Sequence, residues 1–359
     1  MKILHLDEQR GWRGGEQQAS WLLAGSVARG HEVWIAGRRT GQFVHADHGG
    51  ASVKRLPLTF ANELDLATAW RLAQVVKQER IDIIHAHTSH AHTTACMTAR
   101  FAGRGKTVVS RRIDFMPKQN RFNQWKYSWP DLYIAVSDRV AQVLRQFGIP
   151  EPRLRMVHSS VDRKRLECAP ADWATLGIKK VGPIILSAGA LVGHKDHENL
   201  LRAFAGVRKQ LPGAQIVIAG EGGLRASIEQ QIRDLDLTHA VHLLGHRTDV
   251  PALMRAADLY VSSSWSEGLG TSILEALACG TPVAATEAGG AREMVAPGLT
   301  GYLVPVRDSA ALGAAIVQSL HGGAETGKMV AAGRARIQEE FTTETMVERT
   351  LACYIHLLD

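Results

Sequence analysis

At 359 residues, 45% of them hydrophobic and 21% charged, the chain is too long for one ordinary core and suits two globular domains. No apolar run reaches the roughly 20 residues of a membrane span, and four scattered cysteines without a CxxC pair exclude a disulfide framework or a zinc knuckle. The net charge of +7 is uneven: residues 1–168 carry 26 lysines and arginines against 15 acids, and the rest carries 16 against 20, which indicates an anionic partner for the first half.

Short β-branched runs alternate with amphipathic stretches along the first half of the chain. The runs KILHL, HEVWIAG, IDIIHAH, KTVVS and DLYIAVS are typical of strands, and EQQASWLLAGSVARG and DLATAWRLAQVVKQE are typical of helices. Strands that alternate with helices in this way pair in parallel. The first half therefore predicts a doubly wound parallel sheet.

Histidines cluster where the third of these runs ends, in IDIIHAHTSHAHTTA. His85 and His87 form an H-x-H pair, a spacing that can bind zinc, although a metal site would also need a carboxylate or a distant histidine. Local structure is a second interpretation of the cluster, and contact with a bound ligand at the end of a strand is a third.

Basic and aromatic residues are mixed in SRRIDFMPKQNRFNQWKYSWPD. This composition suits an interfacial membrane contact or a polyanion, and the alternative is a helix whose aromatic side chains pack inward and whose bases are solvated. We predict a surface that faces the membrane or a bound substrate, formed by Arg111, Arg112, Lys118, Arg121, Trp125 and Lys126.

The second half repeats the alternation with PIILSAG, AQIVIAG, AVHLLG, DLYVSSS, TPVAAT and GYLVPV, separated by helical patterns. The segment between the halves, HSSVDRKRLECAPADWATLGIKK, has no steady period. We therefore predict a first domain over 1–165 and a second over 166–335. Residues 336–359 are predicted to form a helix that packs on the outside and could cross to the first domain.

The segment SEGLGTSILEALACGTPV at 266–283 places a glycine-rich loop between a strand and a helix predicted to run from Thr271 to Gly280. Gly268 and Gly270 would let backbone N–H groups approach a ligand, and a helix N-terminus suits phosphate. Glu267 could be a solvated loop acid and Glu275 a helix surface acid. The apolar residues around Glu275 favour a buried carboxylate that accepts hydrogen bonds from sugar hydroxyls.

Together these motifs resemble the retaining glycosyltransferases of family 4, which have the two-domain GT-B fold. The resemblance rests on the two glutamates eight residues apart, followed by GTPVAATEAGGAREMV and GLTGYLVP, and on RGGEQQ, VSD at 136–138, GHKDHENLLRAF and IAGEGG. It extends over essentially the whole chain. It implies an α/β fold of two Rossmann-like, doubly wound parallel-sheet domains that face each other across a cleft.

The resemblance also implies a donor site in the second domain. Glu275 would bind the ribose of a nucleotide-sugar, and Lys195, at the start of a helix after PIILSAG, would neutralise the diphosphate. Arg247, after AVHLLGH, falls where the family places its base-binding loop. The donor sugar and the diphosphate would be contacted by Glu267, Gly268, Leu269, Gly270 and Thr271.

In the first domain, the resemblance implies that Gly14 and Gly15 touch the donor phosphates and that His87 contacts the donor sugar near its reactive carbon. Many relatives carry an arginine where this chain has Ala190, so the second cation for the diphosphate must come from elsewhere, and Arg13 is a candidate. The residues expected to act in catalysis are His87, Lys195 and Glu267.

Two cofactor classes are excluded by missing motifs. No complete G-x-G-x-x-G follows the first strand, and no G-x-x-x-x-G-K-[ST] segment exists, which argues against nicotinamide cofactors and an ATP-cleaving P-loop. We expect no cofactor and no metal, with the nucleotide-sugar as co-substrate.

The function that these motifs predict is transfer of a sugar from a nucleoside diphosphate donor, UDP favoured and GDP second, to a hydroxyl of a lipopolysaccharide-core or lipid-linked glycan. We expect a cytoplasmic enzyme with peripheral contact to the inner membrane and no nucleic-acid partner. The alternatives are a nucleotide-sugar epimerase of similar fold and a non-catalytic module that binds polyanions.

Overall fold

The computed structural model describes residues 1–359, and they form two compact units. One unit comprises residues 1–160 and 343–359, and the other comprises 161–342. The first unit thus ends before the predicted boundary at 165/166, because the short helix that follows Val161 packs within the second unit.

The first unit is built on a seven-stranded sheet in which every pair of neighbouring strands is parallel. Its order is β3-β2-β1-β4-β5-β6-β7, so the chain moves outward from β1 in both directions. The strands are β1 (Lys2–Asp7), β2 (Glu32–Arg38), β3 (Lys54–Leu58), β4 (Ile83–Ala86), β5 (Lys106–Arg111), β6 (Leu132–Ala135) and β7 (Leu154–Met156). The sequence patterns missed only the two edge strands, β3 and β7.

Six helices accompany this sheet in the first 160 residues: α1 (Gly14–Ala28), α2 (Gln42–His45), α3 (Leu66–Glu79), α4 (Ser89–Ala102), α5 (Arg121–Ser128) and α6 (Asp138–Phe147). Side chains cap several of their N-termini; the Thr88 hydroxyl, for example, accepts a hydrogen bond from the N–H of Ala91 at the start of α4. The central strands are buried, as a sheet covered on both faces requires.

The second unit has a six-stranded parallel sheet in the order β10-β9-β8-β11-β12-β13. Its strands are β8 (Ile184–Ala188), β9 (Gln215–Ala219), β10 (Val241–Gly245), β11 (Leu259–Ser262), β12 (Val283–Thr286) and β13 (Tyr302–Val304). Its helices are α7 (Arg163–Leu166), α8 (His197–Gln210), α9 (Arg225–Asp234), α10 (Val250–Ala256), α11 (Thr271–Cys279), α12 (Ala291–Met294), α13 (Ser309–His321) and α14 (Gly323–Glu340). The order reverses between β8 and β11, and the loops after such strands are where ligands bind in doubly wound folds.

The C-terminal segment differs from the single outer helix predicted over 336–359. Helix α14 belongs to the second unit, and a separate helix, α15 (Thr343–Leu358), belongs to the first. Helix α15 packs closely on α1: a Cβ atom at Gly25 would lie 2.5 Å from Val347. Val347, Leu351 and Tyr354 are buried in the first unit's core, so α15 is part of that core rather than an external addition.

No helix combines the length and apolar character needed to cross a membrane. All four cysteines are free; Cys96 and Cys279 are buried, and Cys168 and Cys353 are partly exposed.

Candidate active site

The loop after β11 and the helix that follows form the frame of the predicted donor site. Helix α11 begins at Thr271 and ends before Gly280, as predicted. Gly270 and Gly280 both have left-handed backbones, with φ of 96° and 77°, which glycine adopts at low cost. The loop before Gly270 is held tightly, since Leu269 is buried and a Cβ at Gly289 would collide with the carbonyl oxygen of Glu267.

Lys195 lies in the same part of the unit. It ends a 3-10 turn, Gly193–Lys195, two residues before α8 begins, rather than lying in the helix itself. The turn is fixed to the end of β11, because the Ser263 hydroxyl donates to the Lys195 carbonyl at 2.8 Å and the Trp265 ring N–H donates to the Gly193 carbonyl at 2.9 Å.

The Lys195 ammonium and the Glu267 carboxylate form a close ion pair. Their side chains are only 19% and 13% exposed, and the Ser264 hydroxyl donates to the same Glu267 oxygen at 2.8 Å. A half-buried ammonium beside a helix N-terminus is a good receptor for phosphate. In this structure the Lys195 ammonium is paired with the Glu267 carboxylate. A bound phosphate would therefore have to share the ammonium with Glu267 or displace that carboxylate.

Glu275 lies one turn into α11 and is 14% exposed. Its Oε1 accepts a hydrogen bond from Arg165 Nη1 at 2.9 Å. Burial raises the pKa of Glu275, and the Arg165 charge partly opposes that shift. The carboxylate is therefore neither solvated nor isolated, in agreement with the prediction from its apolar surroundings.

Arg247 follows β10, and both Nε and Nη2 bond the carboxylate of Asp249, at 2.8 and 2.6 Å. This fork-shaped pairing fixes the guanidinium plane and takes up much of its charge. At the end of β8, Ala190 supplies no cation, as the sequence already indicated.

In the first unit, three histidines meet at the ends of β1 and β4. His5 Nδ1 and His87 Nε2 are 2.9 Å apart, and His85 contacts the Tyr354 hydroxyl and the Ser110 hydroxyl. The donor atoms of His5, His85 and His87 all lie within 4.8 Å of one another, so this trio could hold a metal ion. Burial lowers the pKa of His5 to about 3 and that of the other two well below the ordinary value, which leaves neutral rings.

A buried charged group surrounds the start of α1. Asp7 ends β1, Glu16 lies in the first turn of α1, and Arg112 follows β5. A Cβ at Gly15 would lie 3.5 Å from Arg112 Cδ, so the arginine runs beneath the glycine pair. Burial, and next the charge of Glu16, raises the pKa of Asp7 to about 8, whereas burial lowers that of Arg112 to about 10.

A cavity of about 300 Å³ opens beside this group. It is polar and charged on most sides, and Arg13, the candidate second cation, lines it with its backbone N–H bonded to Glu16 at 2.7 Å. The lining residues are Glu8, Gln9, Arg10, Gly11, Arg13, Glu16, Arg38 and His90.

One of the six residues predicted to face the acceptor or the membrane lies elsewhere. Lys126 is 3% exposed, because its ammonium is buried in an ion pair with Glu63 and donates to the Ser89 carbonyl at 2.7 Å. This prediction of surface position was wrong because a helical pattern does not show which basic side chain has a buried acid opposite it.

The other five residues lie on or near the surface, and Arg112 is partly exposed and packs beside Gly15. Arg111 is half-buried and organises the segment after β5 by donating to the Tyr127 hydroxyl at 2.8 Å and to two carbonyls. Lys118 and Arg121 are exposed, and Trp125 is 41% exposed although it contacts Trp129 with ring centres 4.2 Å apart. The exposed apolar side chains around them are Ile113, Phe115, Met116 and Phe122.

Sequence reasoning missed four further residues of these sites, and His5, which contacts His87, is one of them. Asp7 and Glu16 were not singled out because each is one acid among many, and Arg165 falls in a linker without periodicity. Only the position of Asp7 at the end of a strand and the position of Glu16 directly after two glycines could have drawn attention to them.

Family comparisons cover almost the whole chain. Residues 12–165 match the family described as Glycosyltransferase Family 4, and residues 171–336 match Glycosyl transferases group 1. The two matches correspond closely to the first and second units.

The individual relatives share only about a quarter of their aligned residues with this chain. The N-acetyl-alpha-D-glucosaminyl L-malate synthase of Bacillus anthracis is 25% identical over 82% of this chain and 80% of its own length. The GDP-mannose-dependent monoacylated alpha-(1-6)-phosphatidylinositol monomannoside mannosyltransferase of Corynebacterium glutamicum is 27% identical over 79% of this chain and 78% of its own.

Among solved structures, Anabaena HepE, crystallised with UDP and glucose, aligns with a TM-score of 0.87 at 22% identity, over 99% of this chain and all of HepE. This similarity shows the fold. With the two parallel-sheet units and both family matches, it establishes the chain as a GT-B glycosyltransferase in which a Glycosyltransferase Family 4 domain precedes a Glycosyl transferases group 1 domain.

Proposed function

We propose that this glycosyltransferase transfers a sugar from a nucleoside diphosphate donor to a glycan hydroxyl with retention of anomeric configuration. The observation that carries the proposal is the ion pair of the Lys195 ammonium with Glu267, which lies just before α11, together with the largely buried Glu275 carboxylate within that same helix. An ammonium and a helix N-terminus suit a diphosphate, and a carboxylate in an apolar setting suits ribose hydroxyls.

The leaving diphosphate is the electrostatic problem of the reaction, because it gains charge as the anomeric carbon becomes cationic. Lys195 and the N–H groups at Gly268, Gly270 and Thr271 would stabilise that charge without a metal. Gly14 and Gly15, at the N-terminus of α1, would contribute N–H groups in the same way. No metal or cofactor is part of this proposal.

Retention follows if the acceptor attacks from the face that the diphosphate leaves, with a donor phosphate oxygen taking the acceptor proton. No protein nucleophile is needed for that route. Glu267 would then bind donor-sugar hydroxyls and His87 would contact the sugar near its reactive carbon. His87 is suited to hydrogen bonding rather than to proton transfer, since burial lowers its pKa well below the ordinary value.

A uracil nucleotide is the favoured donor, and a guanine nucleotide is the second candidate. Crystals of HepE with UDP and with UDP-glucose support the first, and the mannosyltransferase named as GDP-mannose-dependent supports the second. That mannosyltransferase is also named for a phosphatidylinositol acceptor, which supports a lipid-linked acceptor here; a lipopolysaccharide-core glycan is the other candidate. The polar cavity at the start of α1 would receive the acceptor sugar.

Thermal unfolding in the presence of UDP, GDP, ADP and their glucose or mannose conjugates tests the proposal. A ligand at 100 times its Kd adds about 2.7 kcal/mol of stability, so the correct nucleotide raises Tm measurably. Glu275→Ala should abolish most of that rise. A missing rise with all nucleotides, or a rise unchanged in the variant, would contradict the proposal.

The same nucleotides and nucleotide-sugars distinguish a glycosyltransferase from the two alternative functions. An epimerase of similar fold converts the nucleotide-sugar without any acceptor and transfers nothing when an acceptor is present. A polyanion-binding module loses its affinity in salt and keeps it in the Glu275→Ala variant.

We propose further that the enzyme works in the cytoplasm and touches the inner-membrane surface through α5 and the segment before it. The exposed Phe122 and Trp125 beside the cations Lys118 and Arg121 support this, because aromatic and basic side chains together favour an anionic interface. Flotation with vesicles of phosphatidylethanolamine and phosphatidylglycerol should show binding that Trp125→Ser weakens. Trp70→Ser, which removes a more exposed tryptophan on α3, is the matched control and should leave binding unchanged.

A further inference from the structure

The ion pair of Arg165 and Glu275 joins the donor site to the segment where the chain enters the second unit. Arg165 lies in α7, only four residues after Val161, the first residue of that unit. Its side chain is 38% exposed, whereas the side chain of Glu275 that it contacts is 14% exposed. The arginine therefore reaches from the surface to a largely buried acid.

Local packing holds α7 in this position. The Asp162 carboxylate caps the helix by accepting from the Lys164 N–H at 3.0 Å, and Leu166 is buried. Val161 also donates its N–H to the Phe341 carbonyl at 2.9 Å, next to the point where the chain leaves the unit. These contacts fix the backbone of Arg165, so its pairing with Glu275 costs only the freedom of the side chain.

The pairing uses only part of the acid's hydrogen-bonding capacity. Arg165 bonds Oε1, and Oε2 accepts from no group in the structure. An ionised carboxylate offers about four acceptor positions, whereas a protonated one loses part of that capacity to its own proton. Burial alone pushes Glu275 toward the protonated form, and Arg165 is the charge that opposes it.

We infer that Arg165 is a positioning residue for the donor: by holding Oε1 of Glu275, it aims the free oxygen, Oε2, at the ribose hydroxyls of the nucleotide. The inference rests on the proposed function, since it presumes that Glu275 binds the ribose. It assigns no chemical step to Arg165 itself. It predicts that the arginine acts on nucleotide affinity only through the acid.

The test compares a nucleotide with its counterpart that lacks the ribose hydroxyls. The probe is whichever of UDP, GDP or ADP binds the wild-type chain tightest by calorimetry, together with its 2′,3′-dideoxy form. Arg165→Met should weaken the ordinary nucleotide about tenfold, the scale of one hydrogen bond to a charged group, and change the dideoxy form less than about twofold. Arg165→Lys should recover part of the loss, because it restores the charge but not the planar guanidinium.

Arg163→Met is the matched control, since it removes an exposed arginine from the same helix without touching the ion pair. It should bind both probes like the wild type. In the Glu275→Gln background, Arg165→Met should add less than about twofold, because the acid through which it acts is gone.

Three results would overturn the inference. An equal loss for the two probes would indicate a general structural effect or an electrostatic effect on the phosphates. Unchanged or tighter binding would indicate that Arg165 is idle or competes with the ribose. Full additivity with Glu275→Gln would indicate independent action. If no nucleotide binds the wild type, the proposed function itself fails; if nucleotides bind and any of these three results is found, only the role of Arg165 fails.

Discussion

The two polar clusters of this enzyme differ in how their charges are satisfied. In the second unit, the ammonium of Lys195 and the carboxylate of Glu275 each have a protein partner of opposite charge. In the first unit, Asp7 Oδ2, His5 Nε2 and His87 Nδ1 are buried without a hydrogen-bond partner. Buried polar atoms without a hydrogen-bond partner lower the free energy of unfolding, typically by about 1–3 kcal/mol each.

This difference indicates what each cluster is suited to do. Paired charges in a half-buried site can exchange their protein partner for a charged ligand, as a donor site requires. Unpaired neutral groups avoid the larger cost of an isolated charge and leave hydrogen-bonding capacity open. Substitutions of the paired charges in the second unit should therefore impair function, whereas substitution of the buried Asp7 in the first unit should change stability.

The largest effect is expected for Lys195→Met. Loss of the ammonium removes the charge that stabilises the leaving diphosphate, and we expect the release of nucleoside diphosphate from the donor to slow at least about 100-fold. The variant also leaves Glu267 with only the Ser264 hydroxyl as a partner. Rates from a coupled assay at saturating donor measure the loss.

Lys180→Met is the control for that prediction. Lys180 also forms an ion pair in the second unit, with Asp258, but its side chain is 47% exposed and lies outside the site. It should keep the wild-type rate within about twofold, as exposed pairs contribute little. Equal slowing in the Lys195→Met and Lys180→Met variants would contradict the proposed role of Lys195.

An intermediate effect, on stability, is expected for Asp7→Asn. Because folding raises the pKa of Asp7 from 3.8 to about 8, the folded state holds a proton that the unfolded state releases. This contribution is full below pH 3.8 and is lost as the pH rises through about 8. The lowered pKa values of the buried histidines change the free energy of unfolding only below about pH 6.5. Between pH 6.5 and 8.5, Asp7 should therefore dominate the pH dependence of stability.

The asparagine variant should lose that slope, so that its Tm relative to the wild type rises by roughly 4 °C from pH 6.5 to pH 8.5. Asp65→Asn is the matched control in the same unit. Asp65 caps α3, and hydrogen bonds from Thr68 and Ala61 lower its pKa despite burial, so the variant should change Tm equally at both pH values. A parallel pH dependence of wild type and Asp7→Asn would show that Asp7 is ionised in the fold.

The smallest effect is expected for Arg247→Gln. Both guanidinium bonds go to Asp249, and an arginine already neutralised in this way has little charge left for a nucleotide. We expect nucleotide affinity by calorimetry to fall less than about threefold. A loss of tenfold or more would mean that Arg247 leaves Asp249 to bind the base.

The sequence predicted the bounds of α11 and the burial of Glu275 in the second unit, because these signals are local. The left-handed glycines at 270 and 280 set the ends of α11, and the apolar residues around Glu275 predicted its burial. The first unit's cluster was mostly missed, because it depends on contacts between distant segments. Arg112 lies under Gly15 and Lys126 pairs with Glu63, and no periodicity reports such pairings.

The sequence patterns also failed to predict the edge strand β3 and the break between α14 and α15. Strand β3 is largely exposed and contains Pro57, so it lacks the buried, β-branched pattern of the central strands. The break between α14 and α15 is set by burial of Phe341 and by pairing of Thr342 with Val161, at a distance of 181 residues along the chain.

A crystal structure of the chain with UDP tests the central claim most directly. We predict the pyrophosphate against the Lys195 ammonium and the N–H of Thr271, and the ribose hydroxyls on Glu275 Oε2 while Arg165 retains Oε1. A nucleotide bound elsewhere, or a ribose that makes no contact with Glu275, would contradict the claim.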